Sequence, residues 1–231
     1  VSHARVTVLP SLLVPPAQPE IVWTVVVAGG SGARFGRPKQ YELLDEHRMI
    51  DHSVAAARAS SDGVVVVVPA SDVATESQRF DLVVAGGATR SDSVRAGLAA
   101  VPSDADIICV HDAARPFASA ALFGSVIAAV RAGAEGAIPG VAVTDTIKVV
   151  GPDGAVQHTP ERSSLVAVQT PQAFRAAALR AAHAGGPEGT DDAALVEAAG
   201  GRVMVVAGEP DNRKVTHPDD LDWARVKVGA R

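Results

Sequence analysis

Two cations and a cluster of glycines follow the first long apolar run. In "VVVAGGSGARFGRPKQY" (25–41), Ala28 gives way to Gly29, Gly30 and Gly32, then to Arg34 and Lys39. Residues without a Cβ let backbone N–H groups come close to phosphate oxygens. A guanidinium and an ammonium add full charge and directed hydrogen bonds. That chemistry suits a polyphosphate, although the glycines alone would equally fit a flexible turn. Three familiar loops are excluded. No G-x-x-x-x-G-K-[ST] is present, and Phe35 stands where the dinucleotide fingerprint needs its third glycine. Ala33 stands where a nucleophile elbow around Ser31 needs glycine.

Three further stretches carry groups of the same kind. "GGATRSDSVRAGL" (86–98) is a second glycine turn that enters a helix, with Ser91 expected as its N-cap. Its backbone groups and Ser93 suit a nucleobase. "VHDAARP" (110–116) places Asp112 just past an apolar run, with Arg115 three residues on. A carboxylate there can hold Mg²⁺ against phosphates, or simply cap a helix. "DNRKVTHPDDL" (211–221) adds Asp211 and Lys214 before a helix start at Pro218. The chain has four lysines against seventeen arginines, and Lys39, Lys148 and Lys214 all fall in such contexts. A compact ammonium does what a guanidinium does not. The seven histidines are scattered without metal-ligand spacing, and His111 reads as structural.

Elements that could bring these groups together are legible. The runs at 21–28, 63–69, 81–87, 106–112, 135–143 and 202–208 are apolar and β-branched rather than alternating. Such runs read as strands buried on both faces. Helical patterns at 49–60, 91–101 and 118–133 separate several of them. The alternation predicts an α/β fold: a mainly parallel, Rossmann-like sheet with helices on both faces. Ligands then bind beyond the carboxyl ends of the strands, where the glycine loop begins. Around Gly151 to Gly154 the pattern changes to two short strand-like pieces, an extended β-arm that cannot bury both faces alone. It is expected to pack on a second copy of the chain. Helices are expected over 173–184, over 191–199 and from Pro218.

Composition narrows the class. The 231 residues, 47% hydrophobic and 3% aromatic, suffice for one domain over 20–231 with a core of Val, Ala, Leu and Ile. Residues 1–19 read as a disordered tail. The net charge of −5 argues against a general nucleic-acid binder but not against a basic pocket. No apolar segment reaches the length of about 18 residues that spans a membrane. The single cysteine, Cys109, reads as a buried thiol, in keeping with a reducing, cytoplasmic setting.

The shape A-[AG]-G-x-G-x-R-x(n)-P-K-Q resembles the loop of nucleotidyltransferases that join a nucleotide to a phosphorylated sugar or polyol. With "HDAARP", "RSDSVRAGL", "DTIK", "QTPQAF", "TDDAALVE" and "DNRKVT" in order, residues 21–226 resemble the 2-C-methyl-D-erythritol 4-phosphate cytidylyltransferase family. The resemblance implies transfer of a cytidylyl group from CTP to methylerythritol phosphate, with release of pyrophosphate, in the non-mevalonate route to isoprenoid precursors. It implies Mg²⁺, held near Asp112 and Asp211. Arg34, Lys39 and Lys214 are the implied catalytic cations. Ala28, Gly29, Gly30, Gly32, Gly87, Ala88, Ser91, Ser93, Asp112 and Ala113 would meet CTP. Arg115, Thr146, Arg162, Thr170 and Thr190 would hold the polyol phosphate.

The resemblance further implies a homodimer clasped through the arm at about 144–162, so that Thr146 and Arg162 serve the partner subunit's site. The segment between Arg34 and Lys39 is shorter than in many relatives, and Ala88 stands where some carry an acid. No fused cyclodiphosphate synthase domain is expected beyond the last helix. Two rival readings remain. A sister enzyme would use the same CTP site with ribitol 5-phosphate; Thr146, Arg162 and Thr170 favour methylerythritol phosphate. A catalytically silent, dimeric nucleotide-binding scaffold would not need the charge of Arg34, Lys39, Asp112, Asp211 and Lys214, which is costly in a pocket.

Overall fold

Valine-rich runs without polar alternation need apolar cover on both faces, and two helical layers supply it. The computed structural model describes residues 19–30, 35, 36 and 38–229. Its first strands are β1 (Val22–Val27), β2 (Leu43–Leu44), β3 (His47–Arg48), β4 (Gly63–Val68), β5 (Val83–Ala85) and β6 (Ile107–Asp112). They are followed by β7 (Gly136–Ala142), β8 (Val149–Val150), β9 (Val156–His158), β10 (Val166–Val168), β11 (Gln172–Arg175) and β12 (Val203–Ala207). The helices are α1 (Met49–Arg58), α2 (Val73–Glu76), α3 (Arg90–Ala100), α4 (Ala120–Arg131), α5 (Ala176–His183), α6 (Asp192–Ala198) and α7 (Pro218–Gly229). None is long and apolar enough to cross a membrane.

The main sheet runs β10-β7-β11-β6-β1-β4-β5, and β12 also pairs with β7. β1 lies parallel between β4 and β6, with Val25 opposite Val65 on one side and Val110 on the other. β4–β5 and β7–β12 are parallel too. β10 and β11 are antiparallel additions along β7, and β11 also pairs with β6. The expected mixed α/β sheet, mainly parallel, is therefore present. One element differs: residues 173–175, expected as the start of a helix, form part of β11, and α5 begins at Ala176. Ala173 and Phe174 are fully buried between β6 and β7, and that tertiary slot sets their conformation.

Alternate residues of β1 serve opposite layers. Val22 and Val26 join Ile50, Val54, Phe123 and Val126 of α1 and α4. Val25 joins Val94, Leu98, Leu179 and Val196 of α3, α5 and α6. Helix α3 lies so close that a Cβ on Gly97 would stand 2.4 Å from Val25 Cγ1. Burial pushes the Cys109 thiol up to about 12, which keeps it protonated and inert. A third cluster contains Phe35, Leu44, Phe117, Val215 and Leu221. It packs α7 beside the two loops expected to carry Lys39 and Lys214.

The arm residues form the β8–β9 pair, closed by a turn in which Gly154 N–H donates to Gly151 O at 2.9 Å. Gly154 has φ +80°, a conformation that favours glycine. Within this chain Ile147, Val150 and Val156 are 40%, 57% and 58% exposed.

Candidate active site

Two cavities open at the carboxyl edge of the parallel strands and share one wall. The first, about 530 Å³, is lined by Ala28, Gly29 and Gly30 after β1, by Gly87 and Ala88 after β5, and by Asp112 and Ala113 at the end of β6. Lys39, Ser93 and Lys214 complete the set drawn from the sequence. Arg34 and Gly32 lie outside the described residues, as does most of the 1–19 tail.

Local chemistry fixes this rim. Thr89, not Ser91, caps α3: its hydroxyl accepts from Asp92 N–H at 3.0 Å, and Asp92 returns the bond to Thr89 N–H at 3.2 Å. The helix starts one residue before Ser91, so Ser91 sits inside the first turn. There it accepts from Gly189 N–H at 3.4 Å and lines neither cavity. Ser93 Oγ donates to Thr89 O and accepts from Gly87 N–H at 3.2 Å, which holds the glycine turn against the helix. A Cβ on Gly87 would stand 2.2 Å from Asp92 Cβ, so the turn closes only with glycine.

The second cavity, about 350 Å³, is lined by Arg115, Thr170 and Thr190, together with Gln169, Gln172 and Asp191. Arg90, Asp112 and Lys214 line both cavities. Lys214 Nζ stands 2.5 Å from Asp112 Oδ2, and Arg90 Nε donates to Asp112 Oδ1 at 3.3 Å. Burial opposes the charge on Asp112, but Arg90, Lys214 and Arg115 outweigh it and hold the carboxyl well below the usual range. Arg115 donates to Asn212 O at 2.7 Å and to Val168 O at 3.2 Å, and burial lowers its pKa. Lys214 is carried by a short loop whose next residue, Val215, bonds to Ala114 O.

Some residues drawn from the sequence lie elsewhere. Asp211 pairs with Lys227 at 2.6 Å and lines neither cavity. Thr146 and Arg162 are exposed on and beside the arm, and Arg162 donates to Thr144 O at 2.7 Å. Arg90 of "RSDSVRAGL" is a wall residue that the sequence motifs do not single out. The available signal was its position: a cation in the first turn of a helix faces the positive end of the dipole and needs a reason to be there.

His111 links the β6 edge to the second cavity. Thr170 Oγ1 accepts from Asp112 N–H at 3.0 Å and is hydrogen-bonded to His111 Nδ1, also at 3.0 Å. Burial pushes His111 down to about 4 against an ordinary 6.5, although neighbouring Asp112 pulls the other way. Below pH 6.5 the unfolded chain therefore binds a proton that the folded chain refuses. Stability should fall from pH 6.5 towards 4, by a total on the order of 3 kcal/mol from this group, and level off below. Urea unfolding across that range should show a slope steeper by about one proton in the wild type than in His111→Gln. Equal slopes would remove His111 as the cause.

A divalent cation can be tested against the donors present. Among the described residues no group of three or more His, Cys, Asp or Glu side chains gathers to hold a metal. Asp112 is the carboxylate on the shared wall. Mg²⁺ commonly uses one or two carboxylates with substrate phosphates and water, so this wall fits an ion brought with a triphosphate and not a resident one.

A sequence model described as IspD: 2-C-methyl-D-erythritol 4-phosphate cytidylyltransferase matches residues 22–229. A 2-C-methyl-D-erythritol 4-phosphate cytidylyltransferase of Rhodococcus jostii is 48% identical over 217 residues, covering 90% of this chain and 95% of the relative. A bifunctional enzyme IspD/IspF of Oleidesulfovibrio alaskensis is 44% identical; 86% of this chain aligns, and it spans 56% of that longer relative. Among solved structures, 4-diphosphocytidyl-2C-methyl-D-erythritol synthase of Anaerococcus prevotii superposes with a TM-score of 0.79 at 28% identity, covering 91% of this chain and 99% of that one. The corresponding cytidylyltransferase of Thermus thermophilus gives 0.76 at 32% identity, with 89% and 98% covered.

Proposed function

We propose how this site works from one premise: the chain belongs to the 2-C-methyl-D-erythritol 4-phosphate cytidylyltransferase family. It transfers a cytidylyl group from CTP to 2-C-methyl-D-erythritol 4-phosphate, giving 4-diphosphocytidyl-2-C-methyl-D-erythritol and pyrophosphate. The observation that carries this reading is the wall of Arg90, Asp112 and Lys214 common to two cavities. A transfer between two phosphates needs two anion sites that meet at the reacting phosphorus.

CTP takes the larger cavity. Its triphosphate lies against Ala28, Gly29 and Gly30, and its base and sugar lie against Gly87, Ala88, Ser93 and Ala113. Methylerythritol phosphate takes the smaller cavity, beside Arg115, Thr170 and Thr190. An oxygen of its phosphate attacks the α-phosphorus, and the bond from that phosphorus to the pyrophosphate oxygen breaks. No covalent enzyme intermediate is required. The chief obstacle is repulsion between anions, so the protein's contribution is alignment and fixed positive charge. Lys39 and Arg34 neutralise the departing pyrophosphate, and Lys214 neutralises the α-phosphate. Mg²⁺, held by Asp112 with the phosphates, supplies further charge neutralisation when bound. Asp211 would assist only from outside the cavity wall.

The same reading makes the enzyme a cytoplasmic homodimer and residues 20–231 a single domain. The exposed apolar side chains of the arm support the dimer, because a two-stranded arm has no layer of its own to cover them. Measuring pyrophosphate release from each of the four nucleoside triphosphates with either polyol phosphate tests the assignment. CTP with methylerythritol phosphate should exceed CTP with ribitol 5-phosphate by at least about 100-fold, the scale set by lost polar contacts to a substrate. Comparable or reversed rates would assign the sister activity, and no release with any pair would leave a nucleotide-binding scaffold.

A further inference from the structure

Arg90 opens α3, and two carboxylates hold its guanidinium there. Nε donates to Asp112 at 3.3 Å and Nη2 donates to Asp192 Oδ2 at 2.8 Å. Asp192 is fully buried in the first turn of α6, and His183 Nε2 stands 3.0 Å from its other oxygen. A carboxylate in that state is strongly unfavourable unless paired and hydrogen-bonded. Here it is paired with Arg90, which lines both cavities, while Asp192 and His183 line neither. The chain of polar contacts thus runs His183–Asp192–Arg90–Asp112–Lys214, from the buried pair behind the site to its partly exposed shared wall.

We propose that Asp192, backed by His183, is a positioning residue for the transfer step: it fixes the Arg90 guanidinium, and through it Asp112 and Lys214, at the junction of the two cavities. The proposal rests on the cytidylyl-transfer reading above. A long arginine side chain has much rotamer entropy to lose when it is ordered. Pinned at Nη2 by Asp192, Arg90 has already lost that freedom before phosphates enter. Released, it would turn toward whichever anion is nearest and would draw Asp112 with it. A preorganised cation accelerates the step because nothing has to reorient as charge develops. A lysine at position 90 keeps the charge but cannot span two carboxylates with one planar fork.

Asp192→Asn tests this, since amide and carboxylate are nearly equal in size. Pyrophosphate release from CTP and methylerythritol phosphate should show kcat lowered about 10- to 100-fold. KM for CTP should stay within about threefold, and calorimetric CTP binding should change as little. Wild-type kcat in folded Asp192→Asn, with only a lower unfolding midpoint, would make the pair a structural joint between α3 and α6 and overturn the proposal. A rise in KM without a fall in kcat would overturn it as well. If Asp192→Asn does not fold, Arg90→Lys decides the matter: the same fall in kcat is expected, and wild-type turnover refutes it. A wild-type enzyme without activity would instead refute the transfer reading.

Discussion

Lys214→Ala should lower kcat by about 10³-fold while leaving the protein folded. Removing one preorganised hydrogen-bond donor from a transition-state site costs about 10²- to 10³-fold, and Lys214 brings a full charge besides. Its ammonium lies 2.5 Å from Asp112 on the wall where the two cavities meet. The loss has a second part. Asp112 is buried, and without Lys214 its charge is balanced, among the described residues, by Arg90 and Arg115. Arg90 would then be drawn further toward the carboxylate and away from phosphate. Lys214→Arg should recover little, because a planar fork does not replace a point charge at this spacing. Steady-state pyrophosphate release with both substrates saturating, beside circular dichroism of each variant, makes the comparison. Turnover within tenfold of the wild type would remove Lys214 from the chemistry. Lys39→Ala should act in the same direction from the lining of the first cavity, with its effect concentrated on the leaving pyrophosphate.

The sheet was legible because both faces of β1, β4, β6 and β7 are covered, so their residues are mostly apolar, without polar alternation. β11 was not. "AFRAAALRAAHA" (173–184) reads as one helical stretch, and only the space between β6 and β7 makes its first three residues extended. That Gly29, Gly30, Gly87 and Asp112 share one edge was legible because residue type and position at a strand end reinforce each other, and they line the first cavity. Arg90 was not, since its partners Asp112 and Asp192 are 22 and 102 residues away. Asp211 is put near Mg²⁺ and Asp112 by the resemblance, through its place in "DNRKVT". In the fold it faces Lys227 of α7, because three residues of loop do not force two side chains to one side. The N-cap expected at Ser91 shifted for a related reason: Thr89 has the reciprocal Asp92 three residues on, and Ser91 does not.

Arg162→Ala and Lys214→Ala should each be inactive alone yet active when mixed. The reasoning starts from the arm. Arg162 and Thr146 are exposed and line neither cavity of their own chain, while the arm presents Ile147, Val150 and Val156 to solvent. A second copy seated on these residues would cover them and would bring the two polar groups to its own smaller cavity. In a two-fold dimer each arm then serves the opposite site. A heterodimer of the two variants has one site with both Lys214 and an intact arm, and one site with neither. Random reassortment gives half heterodimers, so about a quarter of wild-type activity should return. Each variant should first be unfolded and refolded with the other, and assayed against separately refolded controls. If Arg162 acted on its own chain, no mixture could contain a complete site and activity would stay at the control level. The result therefore separates an arm that completes the partner's site from one that only joins two subunits. Sedimentation of the mixture shows independently whether dimers formed. An arm without any such role predicts an Arg162→Ala enzyme that is fully active by itself, which the first control measures directly.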